Sequence, residues 1–329
     1  MTGLRLSLAL DAGGLTLGDD ARVAVLYPTR ETDFGALSSE RVTVVTGFRP
    51  DFEHFERQGY ACETALDGTF DAILVCAARS REKTHAAIAE AAGAAPLVIV
   101  DGAKTDGIDA VLRACRKRID VHGPVNKAHG KLFWFDARAE SFSDWARGGA
   151  REVAPGFVTV PGVFSADGID PASKALADTL PAAMGRQVAD LGAGWGYLAA
   201  RVLERAEVET LHLVEAEHDA LACARRNVED ARAVFHWQDA LSWQPDEPLD
   251  TVVMNPPFHT GRAADPALGW AFIGAAARVL KPSGHLWMVA NRHLPYESAL
   301  AESFGEVAPV AGDGRFKLFH ARRPSRQRG

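Results

Sequence analysis

The strongest constraint on this chain is a rhythm of short apolar runs alternating with helical stretches and closed by two neighbouring strand-like runs. In the C-terminal half the apolar runs lie at 187–191, 211–214, 234–237, 251–254 and 285–290. Helical patterns occupy 197–205, 218–228 and 266–280 between them, and the last should stop at Lys281-Pro282-Ser283-Gly284. Parallel strands need a long crossover, and a helix supplies it, so the alternation predicts a parallel sheet with helices on both faces. The final runs, 307–310 and 316–321, differ because Gly312-Asp313-Gly314 lies between them. That spacing predicts an antiparallel hairpin.

The N-terminal half repeats the rhythm. Phe70-Asp71-Ala72-Ile73-Leu74-Val75 corresponds to Leu249-Asp250-Thr251-Val252-Val253-Met254, and the run at 96–100 corresponds to the strand at 285. A helix at 109–118 precedes a second hairpin candidate, where Gly130-Lys131-Leu132-Phe133 mirrors Gly314-Arg315-Phe316-Lys317-Leu318-Phe319. This reads as an internal duplication, with domains at 1–153 and 154–329. The copies differ where chemistry would sit. Val75 is followed by Cys76-Ala77-Ala78, and no glycine-rich turn opens a helix in the first copy. The first copy is therefore expected to be degenerate.

Bulk properties bound the function. With 329 residues and 47% hydrophobic composition the chain has enough material for two cores. Its longest apolar stretches fall short of the roughly 20 residues a membrane span needs. The run at 6–10 is cut off by Asp11 and is too short for a signal peptide. Cys62, Cys76, Cys115 and Cys223 are widely spaced without a CxxC pair. That pattern suggests no metal site and no disulfide framework, and fits idle thiols in a reducing cytoplasm. The net charge of −7 leaves room for local basic surfaces. Two stretches qualify: Arg113, Arg116, Lys117, Arg118, Lys127 and Lys131, and then Arg315, Lys317, Arg322, Arg323, Arg326 and Arg328.

Three segments carry chemistry. Asp190-Leu191-Gly192-Ala193-Gly194-Trp195-Gly196 follows a strand and opens a helix. Glycines there let the backbone turn tightly and approach a ligand. The loop alone also fits nicotinamide-binding folds. Glu215 ends the second strand, where an acid can accept from ribose hydroxyls, and Asp239-Ala240 follows the third, in reach of an adenine amino group. Asn255-Pro256-Pro257-Phe258 ends the fourth. Two prolines remove two N–H donors. The Asn255 side-chain oxygen and the Pro256 carbonyl are left to accept from a substrate amino group, and Phe258 offers a face for stacking a planar base or amide.

Five segments occur in one order: 162–170 (Gly-Val-Phe-Ser-Ala-Asp-Gly-Ile-Asp), the glycine loop, 255–261, 290–296 and 314–317. The set closely resembles the ribosomal RNA small-subunit methyltransferase C family, with a sibling family that acts on the large subunit. The resemblance is specific over 161–321 and loose before it. It implies an α/β fold of two tandem Rossmann-like class I methyltransferase domains, each a mostly parallel sheet closed by an antiparallel hairpin, the N-terminal copy degenerate. It implies S-adenosylmethionine as cofactor, ribosomal RNA or a ribosomal subunit as partner, and methylation of a guanine N2. It further implies that Asp190 with the backbone of Gly192, Ala193, Gly194 and Gly196 holds the amino-acid end of the cofactor, and that Phe164 and Asp167 touch it. Trp195 departs from the family's small residue, and Glu215 from its more usual aspartate. Three other readings stand beside this one: an adenine-N6 or glutamine-N5 methyltransferase, a non-catalytic RNA-binding assembly factor, and a nicotinamide-dependent oxidoreductase.

Overall fold

The chain divides after Gly149 into two compact units, each with its own sheet. The computed structural model describes residues 2–11, 14–35, 37–257 and 266–325. In the first unit the elements run α1 (Thr2–Asp11), β1 (Val23–Leu26), β2 (Val42–Val45), α2 (Arg49–Arg57), β3 (Ala61–Glu63), β4 (Ala72–Cys76), α3 (Arg81–Ala94), β5 (Leu97–Ala103), α4 (Ile108–Arg116), β6 (His122–Lys127) and β7 (Gly130–Asp136). The sheet order is β3-β2-β1-β4-β5-β7-β6, parallel except where β7 enters antiparallel against β5 and β6.

The second unit contains β8 (Arg151–Ala154), β9 (Phe157–Thr159), α5 (Pro171–Thr179), β10 (Gln187–Leu191), α6 (Tyr197–Leu203), β11 (Thr210–Glu215), α7 (His218–Asn227), β12 (Ala233–Trp237), β13 (Leu249–Met254), α8 (Pro266–Val279), β14 (Leu280–Asn291), α9 (Glu297–Ser303), β15 (Phe304–Gly312) and β16 (Phe316–Pro324). β8 and β9 form a separate two-stranded ribbon. The main order, β12-β11-β10-β13-β14-β16-β15, repeats the first unit's order strand for strand. Because β8 pairs with β9, residues 150–153 belong with the second unit, a few residues ahead of the expected change at 153/154.

Apolar alternation places a core on each face of each sheet. In the second unit Ala189, Val252, Met254 and Leu286 pack on one side, and Val188, Leu213, Val253 and Val289 on the other. One hydrogen bond marks the kinship of the two units. Asp71 Oδ2 accepts from the Arg22 amide at 2.7 Å, just before β1, and Asp250 Oδ2 accepts from the Gln187 amide at 2.9 Å, at the start of β10. Each carboxylate ties the start of one central strand to its neighbour.

α8 stops before Lys281, at Val279, as expected. Two local features go beyond the sequence pattern. The run at 6–10 belongs to a helix, α1, whose Leu6 and Ala9 are buried. Lys281-Pro282-Ser283-Gly284 does not end in a free turn but lies within β14, as an irregularity in its pairing with β13 between Leu249 and Thr251. Leu280 already pairs with Leu249, so the sheet captures the turn residues as a bulge.

The glycines of α8 give a test of packing with opposite signs. A Cβ on Gly269 would sit 2.2 Å from the Oη of fully buried Tyr296, whereas one on Gly274 meets nothing within 4 Å. Gly269→Ala should destabilise by about 1–3 kcal/mol through overpacking. Gly274→Ala should stabilise by up to about 1 kcal/mol through helix propensity. Urea unfolding midpoints of the two variants should move in opposite directions.

Candidate active site

The loop from β10 to α6 is shaped by backbone that only glycine adopts at low cost. Gly192, Gly194 and Gly196 have φ of +77°, +56° and +90°. The Gly192 and Ala193 amides donate to the Val214 carbonyl at 2.9 and 3.1 Å, which fixes the loop to β11. Glu215, at the end of β11, accepts from the Gly194 amide (2.8 Å) and the Glu217 amide (2.8 Å). Gly196 starts α6 where a Cβ would lie 2.9 Å from Val228 Cγ2.

Asp190 lies within β10 and is fully buried, and neither carboxylate oxygen has a hydrogen-bond partner. Burial, with the Glu215 charge adding to it, pushes its carboxyl up to about 8, against a weaker pull from the Ala199 amide in the first turn of α6. Burial also raises Glu215, partly offset by the amides that hold it. A buried carboxyl, Asp190, and a half-buried one, Glu215, thus lie behind a loop whose Gly192, Ala193, Gly194 and Gly196 amides are committed to Val214, Glu215 and Ala193.

Asn255 leaves the end of β13 opposite this loop. Its Nδ2 donates to Asp170 Oδ2 at 2.9 Å and to Ser173 Oγ at 2.8 Å. Its Oδ1 is buried and has no partner. Pro256 is buried and Pro257 exposed. Phe258 lies outside the described residues. Asp170 caps α5, accepting from the Ser173 amide at 2.8 Å, with Pro171 at the first helical position.

Phe164, Ser165, Asp170, Ser173, Gly192, Ala193, Gly194, Trp195, Tyr197, Leu198 and Asn255 line one pocket. Of the residues anticipated from sequence, Phe164, Gly192, Ala193, Gly194 and Asn255 thus come together, with Asp190, Glu215 and Gly196 behind or beside the loop. Asp167 does not join them. The turn closed by Ser165 Oγ on the Gly168 carbonyl (2.8 Å) faces it outward, 92% exposed, where it pairs with Arg151. Asp239 and Ala240 are not in that lining either, because Asp239 Oδ1 folds back onto the Leu241 amide at 2.9 Å and Ala240 is buried. Sequence reasoning passed over Asp170 and Ser173. The Asp-Pro-x-Ser cap was their one visible signal.

Trp195 explains its own presence in the loop. Its ring is 4% exposed, against Phe157, Tyr197 and Val163, and its Nε1 donates to the Phe164 carbonyl at 3.1 Å. The ring therefore packs beside the pocket it helps to line and anchors the strap at 162–168.

The basic stretches thin out once folded. Arg118 pairs with Asp144, Lys131 with Asp109, Arg315 with Asp313, Lys317 with Glu297, and both Arg322 and Arg323 with Glu306. Arg113, Arg116 and Lys117 remain exposed on and just after α4.

The first unit has this architecture without the site. Aligning the units on Asp71 and Asp250, the strand registers place Val25 where Asp190 stands, Thr46 where Glu215 stands and Cys76 where Asn255 stands. Asp101, on β5 beside Cys76, is filled from within: Arg5 of α1 binds it through Nε (2.5 Å) and Nη2 (2.7 Å), with both residues 3% exposed or less.

Comparison with known proteins places the chain. Residues 155–320 match the methyltransferase small domain family. The chain belongs to that family. It is 34% identical over 241 residues to a ribosomal RNA large subunit methyltransferase G of Shewanella amazonensis, covering 68% of this chain and 61% of that protein. It is 36% identical over 166 residues to a ribosomal RNA small subunit methyltransferase C of Hahella chejuensis, covering 50% and 48%. The chain thus spans about half to three-fifths of the length of these relatives. A T. thermophilus 16S rRNA N2 methyltransferase, solved in complex with AdoMet and guanosine, superposes with a TM-score of 0.75 at 24% identity over 94% of this chain and 90% of that one. The fold is the expected one: two tandem Rossmann-like methyltransferase units, the first degenerate.

Among the described residues no helix is long and apolar enough to cross a membrane, and no group of three or more His, Cys, Asp or Glu is placed to hold a metal ion.

The raised Asp190 carboxyl makes a stability prediction. Its folded value, about 8, lies above its ordinary 3.8, so the folded state keeps a proton that the unfolded chain releases. Its contribution to stability is therefore complete below about pH 4 and is lost as pH rises towards 8. Urea melts of the ligand-free protein between pH 5 and 8 should show this decline, and Asp190→Asn should flatten it. An equal decline in the variant would assign it to other groups.

Proposed function

We propose that the chain is a cytoplasmic methyltransferase that uses S-adenosylmethionine to methylate the exocyclic N2 of a guanine in ribosomal RNA. The observation that carries this reading is the Asn255 Oδ1, a buried acceptor without a partner, facing the glycine loop across one pocket. The family supplies the reaction class. The names of both kinds of relative, and the guanosine bound to the similar T. thermophilus enzyme, support the substrate.

The residues fit the cofactor. Without side chains at 192, 194 and 196 the loop would let the cofactor's amino-acid end approach its backbone, and Glu215 lies at the strand end suited to ribose. Buried Asp190 holds its proton in the free protein, and a cationic amino-acid end beside it would favour the ionised carboxylate. When bound, the cofactor supplies an electrophilic methyl on a sulfonium. The protein must then present a weak nucleophile, because the guanine amino lone pair is delocalised into the ring. Asn255 Oδ1 and the Pro256 carbonyl accept the two amino protons and turn the lone pair towards the methyl. Proximity and orientation supply most of the rate. The base has to leave its stack to reach a pocket at the strand ends.

Asn255→Ala should lower kcat by about 10²- to 10³-fold, the size expected when one preorganised transition-state hydrogen bond is removed. Cofactor affinity should stay within a few-fold. Single-turnover methylation of small and large ribosomal subunits with labelled cofactor measures the effect and also identifies the subunit. Near-normal turnover would remove Asn255 from the amine site.

The first unit is proposed to position RNA through Arg113, Arg116 and Lys117. Neutralising each should weaken RNA binding and flatten its dependence on log salt by about 0.7–0.9 for every phosphate no longer neutralised. Lys131, already paired with Asp109, should contribute less. An unchanged salt slope in the triple variant refutes this role.

A further inference from the structure

An asparagine offers a carbonyl on one side and an amino group on the other, and catalysis by Asn255 needs the carbonyl to face the substrate. Rotating the side-chain amide by half a turn exchanges the two. The reversed amide would aim two N–H donors at an incoming amino group, which also donates. Something must hold the polarity.

We infer that Asp170 and Ser173 are positioning residues that fix the Asn255 amide with its oxygen towards the substrate, an inference that rests on the methyltransferase reading above. Asn255 Nδ2 commits its two protons to Asp170 Oδ2 (2.9 Å) and Ser173 Oγ (2.8 Å). A carboxylate only accepts, so a reversed amide would set its oxygen against Asp170 Oδ2 at touching distance, two acceptors with no proton between them. Ser173 alone would not decide, since a hydroxyl both donates and accepts. Asp170 is the discriminating partner, and Ser173 takes the second proton. The correct orientation leaves Oδ1 buried without a partner in the absence of substrate. A buried oxygen without a partner is unfavourable, and a substrate amine would relieve that penalty.

The same two residues start α5. Asp170 Oδ2 also accepts from the Ser173 amide (2.8 Å), and Ser173 is 8% exposed. The helix start thereby transmits its fixed geometry across the sheet edge to the end of β13. One carboxylate oxygen does two jobs, capping a helix and setting the polarity of a side chain 85 positions away.

This double role makes Asp170→Asn the informative variant. Asparagine caps a helix about as well as aspartate, so the fold should hold. With its oxygen at the shared position the new amide keeps both cap and polarity. Turning over exchanges the cap bond for an N–H that donates to a reversed Asn255, so the polarity rests on one weak cap bond instead of on a carboxylate that can only accept. In the full-length chain kcat should fall about tenfold to a hundredfold, with the KM for cofactor within about twofold and the urea midpoint unchanged. A second readout needs no turnover. The Asn255 side-chain amide protons, followed by 15N NMR, should exchange with solvent slowly in the wild type and at least severalfold faster in Asp170→Asn. A charge swap completes the test. Asn255→Asp alone faces a second carboxylate across 2.9 Å and should lose activity. Combining it with Asp170→Asn lets the new amide at 170 donate to the new carboxylate at 255, whose other oxygen again faces the substrate. The double variant should recover at least tenfold over Asn255→Asp. The inference is overturned if Asp170→Asn keeps wild-type kcat and amide exchange, or if the double variant is no better than Asn255→Asp. A wild-type chain that neither methylates ribosomal subunits nor binds S-adenosylhomocysteine would instead sink the functional reading, while the exchange comparison would still judge the polarity lock.

Discussion

Parallel pairing of β10 with β11 and β13 is the constraint on which the rest of the second unit depends. Parallel neighbours end on the same edge, so the residues that follow β10, β11 and β13 meet there, although they lie far apart in the chain. The order also reverses direction at β10: the chain steps out to β11 and β12, then returns to β13 on the other side. That reversal opens a crevice between the β10–α6 loop and the segment after β13. The glycine loop forms one wall and Asn255 the other. Neither needs a special scaffold beyond the sheet order, which explains how the first unit keeps the same topology without the chemistry.

The two units show what a site costs. In the second, a carboxyl sits buried without a partner, three loop residues hold positive φ, and an amide oxygen goes unmatched. Each is a local penalty that a fold under no functional demand would shed. The first unit has shed the unmatched acid and amide, although Tyr27, at the position of Gly192, keeps a φ of +55°. Val25 is apolar where Asp190 is acidic, Thr46 is neutral where Glu215 is charged, and Asp101 is met by a guanidinium from its own chain. The Arg5–Asp101 pair is deeply buried but fully matched, and Thr2 Oγ1 adds a third bond to Asp101 at 2.7 Å. Asp101 has no acidic counterpart in the second unit, where the register places Val289, and its charge is met within the unit by α1.

How far the sequence was legible follows from the range of the interactions. Strand and helix identities rest on local periodicity, and the duplicated order, the closing hairpins and the glycine loop were all readable from it. Asn255-Pro256-Pro257 was readable because the prolines leave so few backbone roles. What escaped depends on distant partners. The polarity of Asn255 is set by residues 82 and 85 positions away. α1 lacked a signal because its stability comes from Arg5 reaching β5, 96 positions on. The basic stretches looked continuous in sequence because the acids that neutralise them, Glu306 for Arg322 and Arg323 and Asp144 for Arg118, come from other segments. The Lys281–Gly284 turn signal was genuine chemistry, but pairing of Leu280 with Leu249 outweighed it.

Trp195 shows the same logic at the scale of one residue. In a glycine loop whose backbone must approach a ligand, a large side chain looks like an obstruction. The packing decides otherwise, because the ring is 4% exposed between its neighbours. There it meets Phe157, Tyr197 and Val163, and its indole N–H reaches the Phe164 carbonyl. Asn227 locks the assembly by bonding the carbonyls of both Trp195 (2.8 Å) and Val158 (2.9 Å) and accepting from the Val158 amide (2.8 Å). The ribbon of β8 and β9, the strap that follows it and the glycine loop are thereby coupled through one aromatic ring and one amide. A smaller residue at 195 would leave the loop's turn intact, since the glycines make it, but would free the strap from the loop it lines. Trp195 thus helps to line the pocket while its buried ring is packed into the ribbon and strap, and so the departure from a small residue is compatible with the site.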